Sequence, residues 1–342
     1  MKAPELSTIV VAWHAAADVA ELVAGWPRDP RFELILVDQD GDLSGLLAAA
    51  TAGRVNVRIL APGRNLGFAG GSNFGARAAR SERLLFLNPD ARPDAGPGSL
   101  DSGSTADRRA SGETAAVRAL EALETLSGGF DLWPRAAGLV PRLVGFDGAP
   151  QFSWQLRPLP SPWQLLAHAM FWNPAHGAQS EPDAGTPIAQ PAAAALALRR
   201  NVFEEVGGFD DGFFPAWFED VDLARRLADR GHPLLYLPSA RFRHRLGSSV
   251  SELGYGGFLV AYDRNLCRYL EKHHGAGWAL AFRALAGPAA LARILVLPLR
   301  RPVRAASRGD AARALLAVAR GTLSGWRPVA TARVTDGVEH AP

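Results

Sequence analysis

Glu219, Asp220 and Asp222 place three carboxylates within four positions of the stretch FFPAWFEDVDLARRL, residues 213–227, directly after Phe213, Phe214, Trp217 and Phe218. Carboxylates at a helix start satisfy free backbone N–H groups and favour the helix dipole, which accounts for one or two of them. The aromatics ahead of them point to a second use. A carboxyl group beside apolar surface loses hydration, its pKa rises, and it becomes competent as a general base. Leu223 and Leu227, at i and i+4, mark the buried stripe of the helix that follows, with Arg225, Arg226 and Arg230 assigned to solvent.

Four other stretches carry residue types suited to chemistry. In LNPDARPD, residues 87–94, Asp90 follows an apolar run and offers a hard oxygen to Mg2+ or Mn2+; the plain alternative is an Asn-Pro turn. In GRNLGFAGGSNFG, residues 63–75, glycines permit close backbone approach at a helix start, which suits a phosphate or a sugar. The spacing is not GxGxxG and no Lys-Ser/Thr pair follows, so neither the dinucleotide nor the P-loop fingerprint fits. Asp38, in LILVDQD, either caps the next turn or accepts a hydrogen bond from a base imide N–H. His244, in RFRHRLGSSV, is either structural or a ligand.

Strands must alternate with helices to bring these stretches together. TIVVAW, FELILVD, VNVRIL and RLLFL are β-rich runs; AADVAELVAGW, LSGLLAAAT and GSNFGARAAR have helical character. The alternation predicts βαβ units and a mainly parallel sheet, whose ligands bind at the carboxyl ends of the strands. VDQD, GRNLGFAGG and NPD all fall on that edge. Residues 91–112 read as a surface loop or disordered insertion, ETAAVRALEALETL as a helix, and AGLVPRLVGFDGAPQFSW as strand, turn and strand about Asp147-Gly148. AAAALALRRNVFEEVGGFD runs from strand to helix, PLLYLP is a strand that returns His244 to the same edge, and the chain is helical from about 251. The domain reading is a catalytic α/β unit over 1–250, with a nucleotide half over 1–94, an insertion and helix over 95–132 and an acceptor half over 133–250. A helical region over 251–330 and a tail over 331–342 follow.

With 342 residues, 48% of them hydrophobic, the chain can bury a large core. Its 37 basic residues include only two lysines and leave a net charge of +3, too small to indicate a nucleic-acid protein. The single cysteine, Cys267, excludes an internal disulfide framework. The N-terminus lacks the charged and long apolar regions of a signal peptide, and the chain is expected in the cytoplasm. The most apolar run, 277–299, is interrupted by Arg283, Arg293 and two prolines; with RRPVRAASR after it, it reads as a membrane-surface element or a packing helix rather than a span.

Taken in order, NLGFAGGSNFG, LNPD, RRNVFEEVGGFDDGFF, FEDVDLARRL and the later histidine resemble the family 2 glycosyltransferases of the GT-A fold, most closely their rhamnosyltransferase-like branch, over about residues 5–270. The resemblance implies a nucleotide-sugar site containing Ala12, Trp13, His14, Asp38, Asn65, Gly67, Phe68, Gly70, Asn73, Asn88 and Asp90, with Asp38 on a uracil or thymine base. Asp90 stands at the last acid of the family's DXD motif, which is Asn-Pro-Asp here, and His244 becomes the second protein ligand of Mg2+ or Mn2+. The resemblance makes Asp220 the general base, with Glu219 beside it and Asp222 structural, and makes Phe214, Trp217 and Phe218 the acceptor wall. It implies a single inverting displacement from a dTDP- or UDP-sugar, by analogy rhamnose, to a glycan or polyprenyl-linked acceptor in cell-surface polysaccharide synthesis. It also implies peripheral attachment at the inner membrane face, and is compatible with a homo-oligomer. His14 and Ala193 depart from the usual Asn and Gly. Two other readings remain: a non-catalytic nucleotide-sugar binder or scaffold, and a Rossmann oxidoreductase, which lacks its glycine fingerprint.

Overall fold

The computed structural model describes residues 2–94, 107–170, 177–245, 248–299 and 305–326. The N-terminal half is built from β1 (Leu6–Ala12), α1 (Ala16–Ala24), β2 (Phe32–Asp38), α2 (Leu43–Thr51), β3 (Val57–Leu60), α3 (Gly67–Ala78) and β4 (Arg83–Leu87). β1 and β2 are buried along all seven residues of each, as strands covered by helices on both faces require. Glu33 is buried among them because Ser7, Arg58 and Arg80 all donate to its carboxylate.

The chain continues through β5 (Ala91–Pro93), α4 (Asp107–Leu132), β6 (Gly138–Val144), α5 (Phe152–Gln155), β7 (Leu156–Arg157), α6 (Pro162–Ala169), β8 (Gln190–Pro191), β9 (Ala195–Arg199), α7 (Arg200–Glu205), α8 (Glu219–Asp229) and β10 (Leu234–His244). The main sheet runs β3-β2-β1-β4-β9-β6-β10-β5. It is parallel from β3 to β4 and between β6 and β10, while β9 is antiparallel to both its neighbours and β5 to β10. The expected α/β architecture is therefore present as a mixed sheet, with the reversed β9 joining two parallel blocks. The C-terminal helices, α9 (Ser248–His274, broken at Gly254, φ 64°), α10 (Ala276–Val296) and α11 (Arg308–Ser324), share a core with Phe213, Phe218 and Val221 of the acidic stretch.

Several local expectations change. The second strand of the hairpin about Asp147-Gly148 does not form; the chain makes α5 instead, and pairing shrinks to one bridge between Val144 and Pro150. The reason is a side chain: Gln155 accepts from the Leu143 N–H and donates to the Pro141 carbonyl, taking the β6 groups a second strand would have used. α3 begins at Gly67 rather than Gly71. β10 extends past PLLYLP through a register shift between Leu237 and Arg241, which carries His244 to the sheet edge beside β5. Of the expected loop over 91–112, residues 91–93 form β5 and the helix α4 has begun by Asp107; the loop's middle and the tail over 331–342 lie outside the described residues.

Candidate active site

A cavity of about 1130 Å3 opens where β1, β4 and β10 end, and reaches from Trp13 and Asp90 across Asp220 into the C-terminal helices. Its acidic wall is set by backbone conformation. Trp217 and Phe218 both adopt left-handed backbone, φ 75° and 73°, immediately before α8. Two consecutive bulky residues there are strained and persist only if the surroundings hold them. Asn265 of α9, fully buried, supplies the hold: its amide donates to the carbonyls of Phe214, Ala216 and Trp217 at 3.3, 2.8 and 3.1 Å. From the other side, the Phe68 N–H donates to the Pro215 carbonyl at 2.7 Å. Gly67, at φ 70°, passes so close that a Cβ would lie 2.7 Å from the Pro215 carbonyl oxygen. The glycine-rich loop is thus a clamp on the aromatic loop as well as a wall of the cavity.

The three carboxylates then face three environments. Asp222 is fully buried, and burial opposes its charge, but His273, Arg226 and Lys272 outweigh it and hold the carboxyl down to about 2. It ties α8 to the end of α9, a structural use, and it draws Arg226 out of the solvent assigned to it. Glu219 lines the cavity, and its Oε2 has no hydrogen-bond donor among the described residues. Burial, then the charges of Asp220 and Asp222, push its carboxyl well up. Burial also raises Asp220, but the Arg157 guanidinium, 3.8 Å away, and the N–H groups of Val221 and Ala193 oppose the rise. Two adjacent acids do not both ionise in a desolvated site. The site therefore pushes Glu219 further toward its neutral form than Asp220, whose charge Arg157 supports.

At the sheet edge, Asp90 and His244 are both buried, with the Asp90 Oδ1 3.6 Å from the His244 Nε2. Gln151 fixes the imidazole: its amide nitrogen donates to the His244 carbonyl at 2.9 Å, so its oxygen faces Nδ1 at 3.0 Å and accepts that N–H. Trp154 stacks on the ring at 5.2 Å. Burial, opposed by Asp90, lowers the His244 pKa and favours the neutral ring. The Nε2 lone pair therefore points at a carboxylate, an arrangement that suits a cation between them. Among the described residues no three His, Cys, Asp or Glu side chains gather into a ready cage, so a cation here would take its remaining ligands from a bound molecule.

The expected nucleotide residues divide. Trp13, His14, Asn65, Gly67, Phe68, Asn88 and Asp90 line the cavity. Ala12, Asp38, Gly70 and Asn73 do not. Asp38 is 1% exposed, and its two oxygens accept from the N–H groups of Gly41 and Leu43, so it caps α2 and is not positioned to meet a base. Gln39, the next residue, lines the cavity and holds the Leu66 N–H. Asn73 braces the Phe209 backbone through both amide atoms, and Gly70 packs under Leu66. Of the acceptor wall, Trp217 and Phe218 line the cavity; Phe214 turns onto Gly67 instead. Sequence reasoning missed Arg157, Gln151 and Asn265. Each acts across a distance of tens of residues, and the short polar neighbourhoods around them carry no periodic signal.

Residues 7–96 match the family model described as Glycosyl transferase family 2. The chain is 28% identical over 268 residues to an N-acetylglucosaminyl-diphospho-decaprenol L-rhamnosyltransferase of Mycobacterium tuberculosis in each of two strains, across 73% of this chain and 78% of theirs. Among solved structures it is similar to GalNAc-T7 with UDP, GalNAc and Mn2+ (TM-score 0.49, 14% identity), covering 78% of this chain and 47%, about half, of that one. It is also similar to a Pyrobaculum calidifontis mannosyltransferase with GDP-Man and Mn2+ (TM-score 0.45, 18% identity, 94% and 88% covered).

Proposed function

We propose, for a chain that is a rhamnosyltransferase-like protein of glycosyltransferase family 2 and hence a glycosyltransferase, that it transfers rhamnose from a dTDP donor, with inversion, to a sugar hydroxyl of a polyprenyl-diphosphate-linked acceptor. The observation that carries this reading is the unequal pair Glu219 and Asp220 lining one cavity with Asp90 and His244.

Asp220 accepts the proton of the acceptor hydroxyl as that oxygen attacks the anomeric carbon and the bond to the donor diphosphate breaks. Arg157 keeps Asp220 ionised before the proton arrives. Glu219, pushed toward its neutral form by burial and the neighbouring acids, adds little charge to repel the leaving diphosphate. Trp217 and Phe218 present ring surface to the acceptor sugar and exclude water from it. Trp13, His14, Gln39 and Asn65 form the nucleotide end, with His14 held by Asp40 at 3.2 Å. Asp90 and the Nε2 of His244 would hold Mg2+ or Mn2+, which when bound neutralises charge on the donor diphosphate.

A membrane-surface position for α10 fits a lipid-linked acceptor. Against the expectation from its arginines and prolines, α10 is one continuous helix of 21 residues, long and apolar enough by length and composition to cross a membrane. Its outward face, including Leu280, Leu285, Leu291 and Leu295, carries no charged residue, while Arg283 turns inward to the Thr322 carbonyl. Trp163 extends this face, packed against Trp278. We assign the helix to the surface of the bilayer, with these side chains in the interface. Leu280→Glu with Leu291→Glu and Leu295→Glu should release the chain from liposomes; unchanged co-sedimentation would remove the assignment.

The reaction is tested with Asp220→Asn. Transfer should fall by about 10²–10⁴, the range for losing a general base, while dTDP with Mn2+ still raises the melting temperature. Retained transfer would overturn the base, and no thermal response to any nucleotide in the unmodified chain would favour a scaffold of the same fold.

A further inference from the structure

The cavity does not end at the acidic wall. It continues between α6, α9, α10 and α11 as a lobe lined by Leu253, Leu259, Ala286, Ala290, Leu315 and Val318. None of these residues has a part in donor binding or proton transfer. Four side chains break the apolar lining: His168, Tyr262, Asp263 and Arg293. Tyr262 lies within the fields of Arg157, Asp220 and Asp263, and its ring is 4.9 Å from His168. His168 and Asp263 lie in turn within the field of Arg293. Asp220, Tyr262, His168, Asp263 and Arg293 thus share one continuous cavity.

We propose that this lobe binds the diphosphate and the first isoprene units of the acceptor, with Arg293 as the cation that faces the diphosphate. The proposal rests on the reading of a lipid-linked acceptor given above. It follows from covalent order. The reacting hydroxyl must sit at Asp220, its sugar next, the diphosphate after the sugar, and the hydrocarbon last. The lobe offers ring, cation and apolar surfaces in the same cavity as Asp220. Tyr262, packed among Phe218 and Phe258, supplies ring surface for the sugar. Arg293 supplies a guanidinium, whose planar fork suits phosphate oxygens. The aliphatic and alanine side chains supply an apolar wall for the isoprene units. Burial raises the Asp263 carboxyl to about 7 while the neighbouring Arg293 lowers it, which reduces the charge this acid sets against an anion. α10 also carries the uncharged outward face, so the helix that would hold the diphosphate is the one placed at the bilayer surface.

The test uses the full chain with its donor site filled by dTDP and Mn2+, so that a diphosphate probe cannot enter there. Farnesyl diphosphate is titrated in by calorimetry, with farnesol as the probe lacking the anion. Arg293→Leu should weaken farnesyl diphosphate by about tenfold or more, the loss of one charge-assisted contact. It should leave farnesol and dTDP affinities unchanged. Arg293→Lys should recover part of the loss and shows that the site survives substitution. Equal affinity of the unmodified chain and Arg293→Leu for farnesyl diphosphate, or no binding of that probe, would overturn the lobe assignment. Failure to bind dTDP would instead count against the donor reading, and the same titration without nucleotide still decides the lobe.

Discussion

Two pairs of titratable groups line one cavity and solve opposite electrostatic problems. Glu219 and Asp220 would carry like charge, and the site answers by raising both carboxyls, Glu219 the more. Asp90 and His244 present two acceptors to each other, and Gln151 removes the proton that would have joined them by claiming Nδ1–H. The first pair sheds charge and the second recruits it. Burial is common to both; what differs is the neighbour. Arg157 and two backbone N–H groups support the charge of Asp220, whereas one amide side chain selects which imidazole nitrogen is exposed to Asp90.

The comparison breaks most readily at the acidic pair. Asp220→Asn should cost about 10²–10⁴ in turnover while Glu219→Gln, which replaces an acid pushed toward its neutral form by a neutral amide, should change it by only about threefold. Equal losses would mean that the two acids share the charge. The same assignment fixes a pH profile. Asp220 must be ionised, and its folded pKa lies above that of an ordinary aspartate, so turnover should rise with pH through a limb displaced upward from the usual carboxylate range. A limb at the ordinary aspartate value would contradict the desolvation described here.

At the second pair the effect should be intermediate. His244→Ala leaves Asp90 as the one protein ligand, and Mn2+ affinity, read by electron paramagnetic resonance in the presence of dTDP, should fall by about 10–100-fold, with Gln151→Leu losing less. Undiminished Mn2+ binding in His244→Ala would detach the histidine from the metal.

The smallest effect belongs to Asp222, which is a member of neither pair. Its folded pKa is depressed to about 2, so its contribution to stability is present above the unfolded value of 3.8 and is lost as pH falls from there through the folded value. The shift corresponds to roughly 2 kcal/mol, which Asp222→Asn should forfeit at neutral pH, with no further loss in the variant between about pH 4 and 2. Denaturant melts across that window check it; an acid-insensitive difference between the two proteins would show that the ion cluster adds nothing.

What could be read without coordinates was whatever repeats locally. β1, β2, β4 and β9 announce themselves as short apolar runs, α2 and α7 as periodic segments, and the Gly-rich, NPD and EDVD stretches as loops at strand ends, because hydrophobic period and turn chemistry act over a few residues. The pairing of Asp90 with His244, 154 positions apart in number, was legible only through the resemblance of the whole pattern to a family. The failures have a common cause. Asp38 and Asn73 carry the right atoms, but whether a carboxylate or amide faces a ligand or a backbone N–H depends on which turn folds beneath it. The strand expected after Asp147-Gly148 lost its partner to the Gln155 side chain, a competition that propensity does not contain.

The sequence by itself determined the chemistry on offer: an acid cluster behind aromatics, an acid at a strand end, glycines at a helix start, and an apolar C-terminal run. Tertiary structure alone decided which acid is pushed further toward its neutral form, which nitrogen of His244 faces Asp90, and that the cavity extends to Arg293. Those outcomes turn on desolvation and on single contacts between segments far apart in the chain, and both exist only once the segments are packed.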